Sequence, residues 1–256
     1  MERELSIQVY SIADHMGCEE DVRRSFESLA SYGYSGVQTA GAFTFGAERY
    51  ADAAHSAGLK IIGTHVKMDL LRDTEAAVRL HRTLGTRFAG IGAMPSFIDG
   101  DFTPQSISRF IDDANSVAEA LSEHGLKFTY HHHSIELCRL GNETVLELLL
   151  RELDPQRTSF VLDTYWLQQG GASVTDWICR FAGRVDILHL KDMGVPFGKN
   201  DCTMTELGAG NIDFREVLRA ADFAGVSHLC YEQDGGHAVD SLESARVSAE
   251  YFFSIA

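Results

Sequence analysis

Proline is scarce and long hydrophobic runs are missing. Four prolines occur in 256 residues, and no Gly-rich, Pro-rich or low-complexity tract divides the chain, so its composition marks no domain boundary. No apolar stretch approaches the ~18 residues of a membrane helix. The opening Met-Glu-Arg-Glu-Leu lacks the basic start and apolar run of a secretory signal. The five cysteines, Cys18, Cys138, Cys179, Cys202 and Cys230, include no C-x-x-C pair, which argues against a disulfide framework or zinc ribbon. Basic residues are also short: 22 Lys and Arg stand against 37 Asp and Glu, for a net charge of −15. Non-specific nucleic-acid binding rests on Lys and Arg neutralising phosphates, so nucleic acid is not an expected partner. Neither is a membrane, and the expected location is the cytoplasm. No Gly-rich phosphate loop ending in Lys-Ser/Thr appears.

What is present is regular alternation. Eight short apolar runs read as strands: 5–12, 36–40, 60–66, 87–94, 127–133, 159–164, 185–193 and 228–234. Helical patterns fill the gaps at 19–32, 47–57, 74–84, 104–124, 143–153, 174–181 and 214–223, and a last one at 241–253 closes the chain. Strands alternating with helices imply parallel βαβ units. Eight units over about 250 residues suit one (β/α)8 TIM barrel domain, residues 1–256, better than an open Rossmann or flavodoxin-like sheet. Gly33, Gly58, Gly85 and Gly125 each follow a helical pattern, where a left-handed C-cap favours glycine. The longest irregular stretch, 194–211, follows the seventh strand and reads as a lid.

Side chains alternate between the two faces of a strand. If Leu188 and Leu190 face the helices, then His189 and Lys191 face the barrel interior. By the same rule Asp163 points inward from strand six and Glu232 and Asp234 from strand eight. His131 and His133 point inward from strand five, with His132 on the opposite face. His65 ends strand three on the face of Ile61. These polar residues all fall in the C-terminal halves of their strands, where barrel enzymes keep their chemistry. Burying them is costly unless they pair or bind a metal. Asp163, His189 and Glu232 offer the imidazole and carboxylate donors that suit Mn2+, Zn2+, Co2+ or Mg2+; the alternative is a hydrogen-bonded ion-pair network.

The same residues carry a family resemblance. Gln8-Val-Tyr-Ser11, Tyr34-Ser-Gly-Val-Gln38, Gly58-Leu-Lys-Ile-Ile-Gly-Thr-His65, Tyr130-His-His-His-Ser-Ile-Glu136, Leu162-Asp-Thr164, His189-Leu-Lys-Asp192, Gly208-Ala-Gly-Asn-Ile-Asp-Phe214 and Tyr231-Glu232 follow one another along nearly the whole chain. In this order they resemble the xylose-isomerase-like TIM barrels, the sugar phosphate isomerase/epimerase superfamily. The resemblance implies one divalent ion, Mn2+ first among the candidates, held by Glu, Asp, His and Glu. Asp163, His189 and Glu232 match three of those ligands. The expected first glutamate reads His131, and either Glu136, just beyond the strand, or His131 itself fills the fourth place. Gln38 stands where many relatives carry Glu.

The chemistry implied is proton abstraction beside a carbonyl, through an enediolate. Glu232 or His131 is the expected base, with His133 and Lys191 as further catalytic groups; Lys191 would hold a substrate oxygen. His65, Gln38, Trp166 and Tyr10 are expected to contact the substrate, a small carbohydrate. Reprotonation would make the chain an isomerase or epimerase. Loss of a β-substituent would make it a lyase, an inosose-dehydratase-like dehydratase or a 3-keto-glycoside β-eliminase. An endonuclease IV-like phosphodiesterase and a non-catalytic binding protein are more distant readings. Assembly as a homo-oligomer is compatible with all of them.

Overall fold

The computed structural model describes residues 3–41 and 43–256. Eight parallel strands close into a barrel: β1 (Ser6–Gln8), β2 (Gly36–Thr39), β3 (Lys60–His65), β4 (Phe88–Ile91), β5 (Lys127–His131), β6 (Thr158–Asp163), β7 (Val185–Leu190) and β8 (His228–Tyr231). Each strand pairs with the next in the chain, and β8 pairs with β1. The (β/α)8 architecture is therefore as expected. Among the described residues no helix is long and apolar enough to cross a membrane.

The helices form where local chemistry starts and stops them. Thr74–Leu84 begins where the Asp73 carboxylate accepts the Ala76 N–H and ends at Gly85, whose φ of 71° is left-handed. Gly33, Gly58 and Gly125 also have positive φ. Pro104–Ser122 starts with a Thr103/Ser106 capping box and buries Ile107, Phe110, Ile111, Ala114, Val117, Ala118 and Leu121 along one stripe.

The apolar core has two parts. The larger lies between the strands and the helices. The smaller, Ile62, Phe88, Val161, Ile187 and Cys230, fills the inside of the barrel. Two residues further along three strands stand Asp163, His189 and Glu232. One step of the pleat thus separates an apolar layer from a polar one above it.

Four details depart from the sequence reading. The pairing of β2 with β3 skips Ile62, so Ile61 packs among the helices while Ile62 lies inside. Simple alternation from Ile61 fails there, yet the bulge leaves His65 inward. Strand β1 stops at Gln8, and Val9–His15 is a 3-10 segment. Strand β5 stops at His131 and not at His133. The stretch 194–211 is partly regular: Asp192–Gly194 pairs antiparallel with Thr203–Thr205. Its far end is tied down by Asp192, whose carboxylate accepts the N–H groups of Met193 (2.8 Å), Gly208 (2.9 Å), Gly210 (3.0 Å) and Ile212 (3.2 Å). The H-L-K-D and G-x-G-x-I-D-F segments are two halves of one hydrogen-bonded unit.

Two predictions follow from these contacts. A Cβ at Gly90 would lie 2.2 Å from Thr129 Oγ1 and 2.6 Å from the Thr64 carbonyl. Gly90→Ala should therefore cost about 1–3 kcal/mol by urea denaturation; wild-type stability would disprove the close approach. Asp192→Ala should raise hydrogen exchange at the amides of Gly208, Gly210 and Ile212 while barrel amides stay protected. Unchanged exchange at those three would show that Asp192 does not hold the loop.

Candidate metal centre

Four side chains from four successive strand ends converge at the mouth. His131, Asp163, His189 and Glu232 are all buried, with one donor atom each within 4.8 Å of the others. His189 Nδ1 lies 2.9 Å from Glu232 Oε2 and 3.7 Å from Asp163 Oδ2. His131 Nε2 lies 3.6 Å from Asp163 Oδ2 and 4.0 Å from Glu232 Oε2. Bonds of ~2.0–2.2 Å to a shared ion place tetrahedral ligand atoms about 3.4 Å apart, which the set approaches closely.

The hydrogen bonds around the set leave lone pairs facing its centre. His131 Nδ1 is 3.0 Å from the Gly92 carbonyl oxygen and must carry the hydrogen it donates. That leaves Nε2 bare, and it has no hydrogen-bond partner among the described residues. Asp163 Oδ1 accepts the Trp166 N–H at 3.0 Å, while Oδ2 has no partner either. Two buried acceptors facing each other at 3.6 Å are costly unless a cation lies between them. His189 Nε2 donates to Gln38 Oε1 at 2.6 Å, which turns Nδ1 to the centre. Gln38 is held in turn by Gln8 Nε2 at 3.0 Å. His132 Nδ1 donates to the His133 carbonyl and Nε2 accepts the Asp163 backbone N–H at 3.1 Å. Such supporting bonds fix ligand tautomer and orientation.

The electrostatics also favour a cation. Burial alone would raise the Asp163 and Glu232 carboxyls; the neighbouring Lys191 and the His131 and His189 imidazoles outweigh it and hold both below the usual range. Burial alone would lower His189, but Glu232 and Asp163 push it well above the ordinary imidazole value. Lys191, fully buried, stays ionised for the same reason: its Nζ is 3.2 Å from Glu232 Oε2, 3.8 Å from Asp163 Oδ2 and paired with Asp234. By contrast, burial and the His131 ring hold His65 well below its ordinary value, His132 down at about 4 and His133 at about 3, so these rings are neutral.

Most residues read from the sequence meet here. His65 stacks on His131 with ring centres 5.2 Å apart, and Gln38 lies between His65 and His189. His133 and Trp166 pack at 5.0 Å, and Lys191 Nζ sits 5.0 Å from the Trp166 ring. Trp166 Nε1 and His133 Nδ1 are buried without partners among the described residues.

Two expectations are corrected. Glu136 does not join the group: Oε1 accepts the Tyr130 hydroxyl at 2.5 Å and Oε2 accepts the His133 N–H at 2.8 Å. Tyr130 faces the helix layer, and the 3-10 turn Ser134–Leu137 carries Glu136 toward it; His131 stands in the fourth place instead. Tyr10 is also elsewhere. The 3-10 segment breaks the alternation after Gln8, and Tyr10 is half-exposed beside Phe43 and Tyr50. Two residues of the site were named in the sequence reading but given no role there, Gln8 and the Lys191 partner Asp234. Both were legible as inward positions on β1 and just past β8.

A family profile described as the xylose isomerase-like TIM barrel matches residues 26–253, and the chain belongs to that family. An inosose dehydratase of Geobacillus thermodenitrificans is 28% identical over 139 residues, 48% of this chain and 45% of that protein. The chain therefore matches about half the length of this curated relative. A sugar phosphate isomerase/epimerase from Parabacteroides distasonis superposes with a TM-score of 0.82 at 21% identity, covering 99% of this chain and 94% of the other. IOLI protein with a bound zinc atom superposes with a TM-score of 0.74 at 12% identity over 99% of this chain and 98% of the other.

Chelator-stripped protein reloaded with Mn2+ or Zn2+ should take up one equivalent by elemental analysis. His131→Ala and Asp163→Asn should lose it, Gln38→Ala should weaken it roughly ten- to a hundredfold, and Glu136→Gln should keep it. Metal retained by His131→Ala but lost by Glu136→Gln would reverse the ligand assignment.

Proposed function

We propose that this barrel is a divalent-metal-dependent isomerase or epimerase of a small carbohydrate, working through an enediolate, with His131, Asp163, His189 and Glu232 as its metal ligands. The observation that carries the reading is the pair of unpartnered buried acceptors, His131 Nε2 and Asp163 Oδ2, facing each other at 3.6 Å beside the ionised Glu232. When bound, the ion would polarise a substrate carbonyl and lower the cost of the negative charge left when a neighbouring C–H loses its proton.

The chain's own groups divide the remaining work. His131 has one nitrogen committed to Gly92 and the other turned to the centre, where a bound ion would take its lone pair and leave none for a proton. The base is therefore Glu232. Lys191, already balancing Glu232 and Asp234, donates to a substrate oxygen. Trp166 Nε1–H and His133 Nδ1 take substrate hydroxyls as the partners they otherwise lack. The hairpin anchored by Asp192 directly follows β7 and would limit water at that strand end.

A second outcome, elimination by a lyase, is favoured by one observation. An imidazole occupies the place of a second carboxylate at the centre, and return of a proton from the opposite face is correspondingly less well supplied. The name of the Geobacillus relative, a dehydratase, points the same way.

The test is solvent exchange. Incubation with candidate keto sugars in D2O should wash deuterium into the α-carbon of an isomerised or epimerised product. An eliminated product should instead show a primary isotope effect with α-deuterated substrate. Glu232→Gln should lower turnover by at least ~10²-fold. Turnover with neither isotope signal would end the enediolate reading.

A further inference from the structure

Lys191 brings a positive charge of its own to the metal centre. Its Nζ stands 3.2 Å from Glu232 Oε2 and 3.8 Å from Asp163 Oδ2. Those are the two oxygens turned to the centre: Oε2 also meets His189 Nδ1 at 2.9 Å, and Oδ2 faces His131 Nε2 at 3.6 Å. An ammonium bonded to them competes for the negative charge that a bound ion would need. Two cations that close also repel more strongly in a buried site than in water. Lys191 thus opposes the ion that the other side chains favour.

A third carboxylate changes that balance. Asp234 pairs directly with Lys191 Nζ and stands outside the four-residue cluster. Its side chain is 26% exposed, against 6% for Glu232 and none for Asp163, so it pulls on the ammonium from the solvent side. The chain beside Asp234 is fixed. The Gln233 N–H donates to Ser11 Oγ at 3.0 Å, and the Gln233 amide links the Tyr231 hydroxyl (2.7 Å) to the Gly235 carbonyl (3.0 Å). The base of Lys191 is fixed as well: Thr164 Oγ1 accepts its backbone N–H at 2.9 Å and donates to its carbonyl at 2.8 Å. With both backbones held, the pairing with Asp234 decides where the ammonium sits.

We infer that Asp234 is a positioning residue for the metal centre: it holds the Lys191 ammonium off the ligand oxygens of Asp163 and Glu232, and so sets the affinity for a divalent ion without being a ligand. The inference rests on the ligand set proposed above. Without the Asp234 charge, the ammonium would have only the two ligand carboxylates to answer it, and a buried charge is costly unless paired. It would close on them as an internal cation in place of the ion.

Mn2+ titrated calorimetrically into chelator-stripped wild type, Asp234→Asn, Lys191→Met and the double variant tests this. Lys191→Met should bind Mn2+ more tightly than wild type, because the competing charge is gone. Asp234→Asn should bind it more weakly. That fall should be roughly tenfold larger with Lys191 present than in the Lys191→Met background, a coupling of ordinary size for residues in contact. At saturation with Co2+, the visible absorption of Asp234→Asn should match wild type, because the ligands are unchanged. Equal falls in both backgrounds would show Asp234 acting on the ion by its charge alone and would overturn the inference. Weaker binding by Lys191→Met, or an altered Co2+ spectrum, would do the same. Lys191→Gln removes the same charge if Lys191→Met does not fold. Wild type that takes up no metal ends the ligand assignment and the inference with it, whereas metal uptake with equal falls ends the inference alone.

Discussion

Asp163 and Glu232 lie side by side at the mouth of the barrel, almost wholly cut off from water and both ionised. Two such charges repel in a medium where Coulomb forces are several times stronger than in water. The surrounding groups answer that repulsion. Lys191 is buried with them and bonded to Glu232 and Asp234. The His189 ring between the two carboxylates is driven toward its charged form. With His189 neutral, as a metal ligand must be, three carboxylates and one ammonium leave two negative charges, which one divalent ion would cancel.

The scaffold makes this arrangement affordable by confining it to one layer. Ile62, Phe88, Val161, Ile187 and Cys230 seal the barrel below it. Gly90 and Gly92 keep β4 and its loop close enough for the Gly92 carbonyl to fix His131, and a Cβ at Gly92 would press on the His65 ring at 3.2 Å. Strand ends hold the candidate ligands, and the turns beyond them hold the supports: Asp163 is both a candidate ligand and the cap of the helix Thr164–Gln169, which places Trp166. Asp192 plays the matching part after β7 by collecting four backbone N–H groups. A single residue thus ties chemistry to local folding at two neighbouring strand ends.

Much of this was legible because strands impose a strict period of two. Leu188 and Leu190 could face only the helices, so His189 and Lys191 had to face inward, and the same step placed Asp163 and Glu232. Legibility ended where the period broke. The bulge at Ile62 shifts the phase of β3 by one residue, and nothing in Ile61-Ile62-Gly63 announces it. Tyr10 and Glu136 lie in 3-10 turns just past strand ends, where alternation no longer applies: Tyr10 reads from the sequence as part of the first strand, and the turn carries Glu136 to Tyr130 and not back to the centre. Thr39 was opaque for another reason. An outward threonine on a barrel strand reads as ordinary packing, and only the three-dimensional surroundings show that its hydroxyl, like that of Tyr50 on the helix that follows, has no hydrogen-bond partner among the described residues.

The substitution of His131 for a carboxylate reaches furthest into the chemistry. Two imidazoles and two carboxylates are a softer donor set than one imidazole and three carboxylates, which moves the preference from Mn2+ toward Zn2+ and Co2+. It also removes one negative charge, so Lys191 and a divalent ion would bring the buried site to neutrality instead of leaving it anionic. The exchange has a catalytic consequence as well. A ligating carboxylate keeps a second oxygen that can take a proton, whereas His131, with Nδ1–H bound to Gly92, keeps nothing free. On the proposed mechanism, base function would then fall to one side of the substrate, at Glu232. A centre with one base can remove a proton as well as a centre with two, but it has no matched partner to return it on the opposite face. On the proposed ligand set, the donor that would set the metal preference would also tilt the reaction from epimerisation toward elimination.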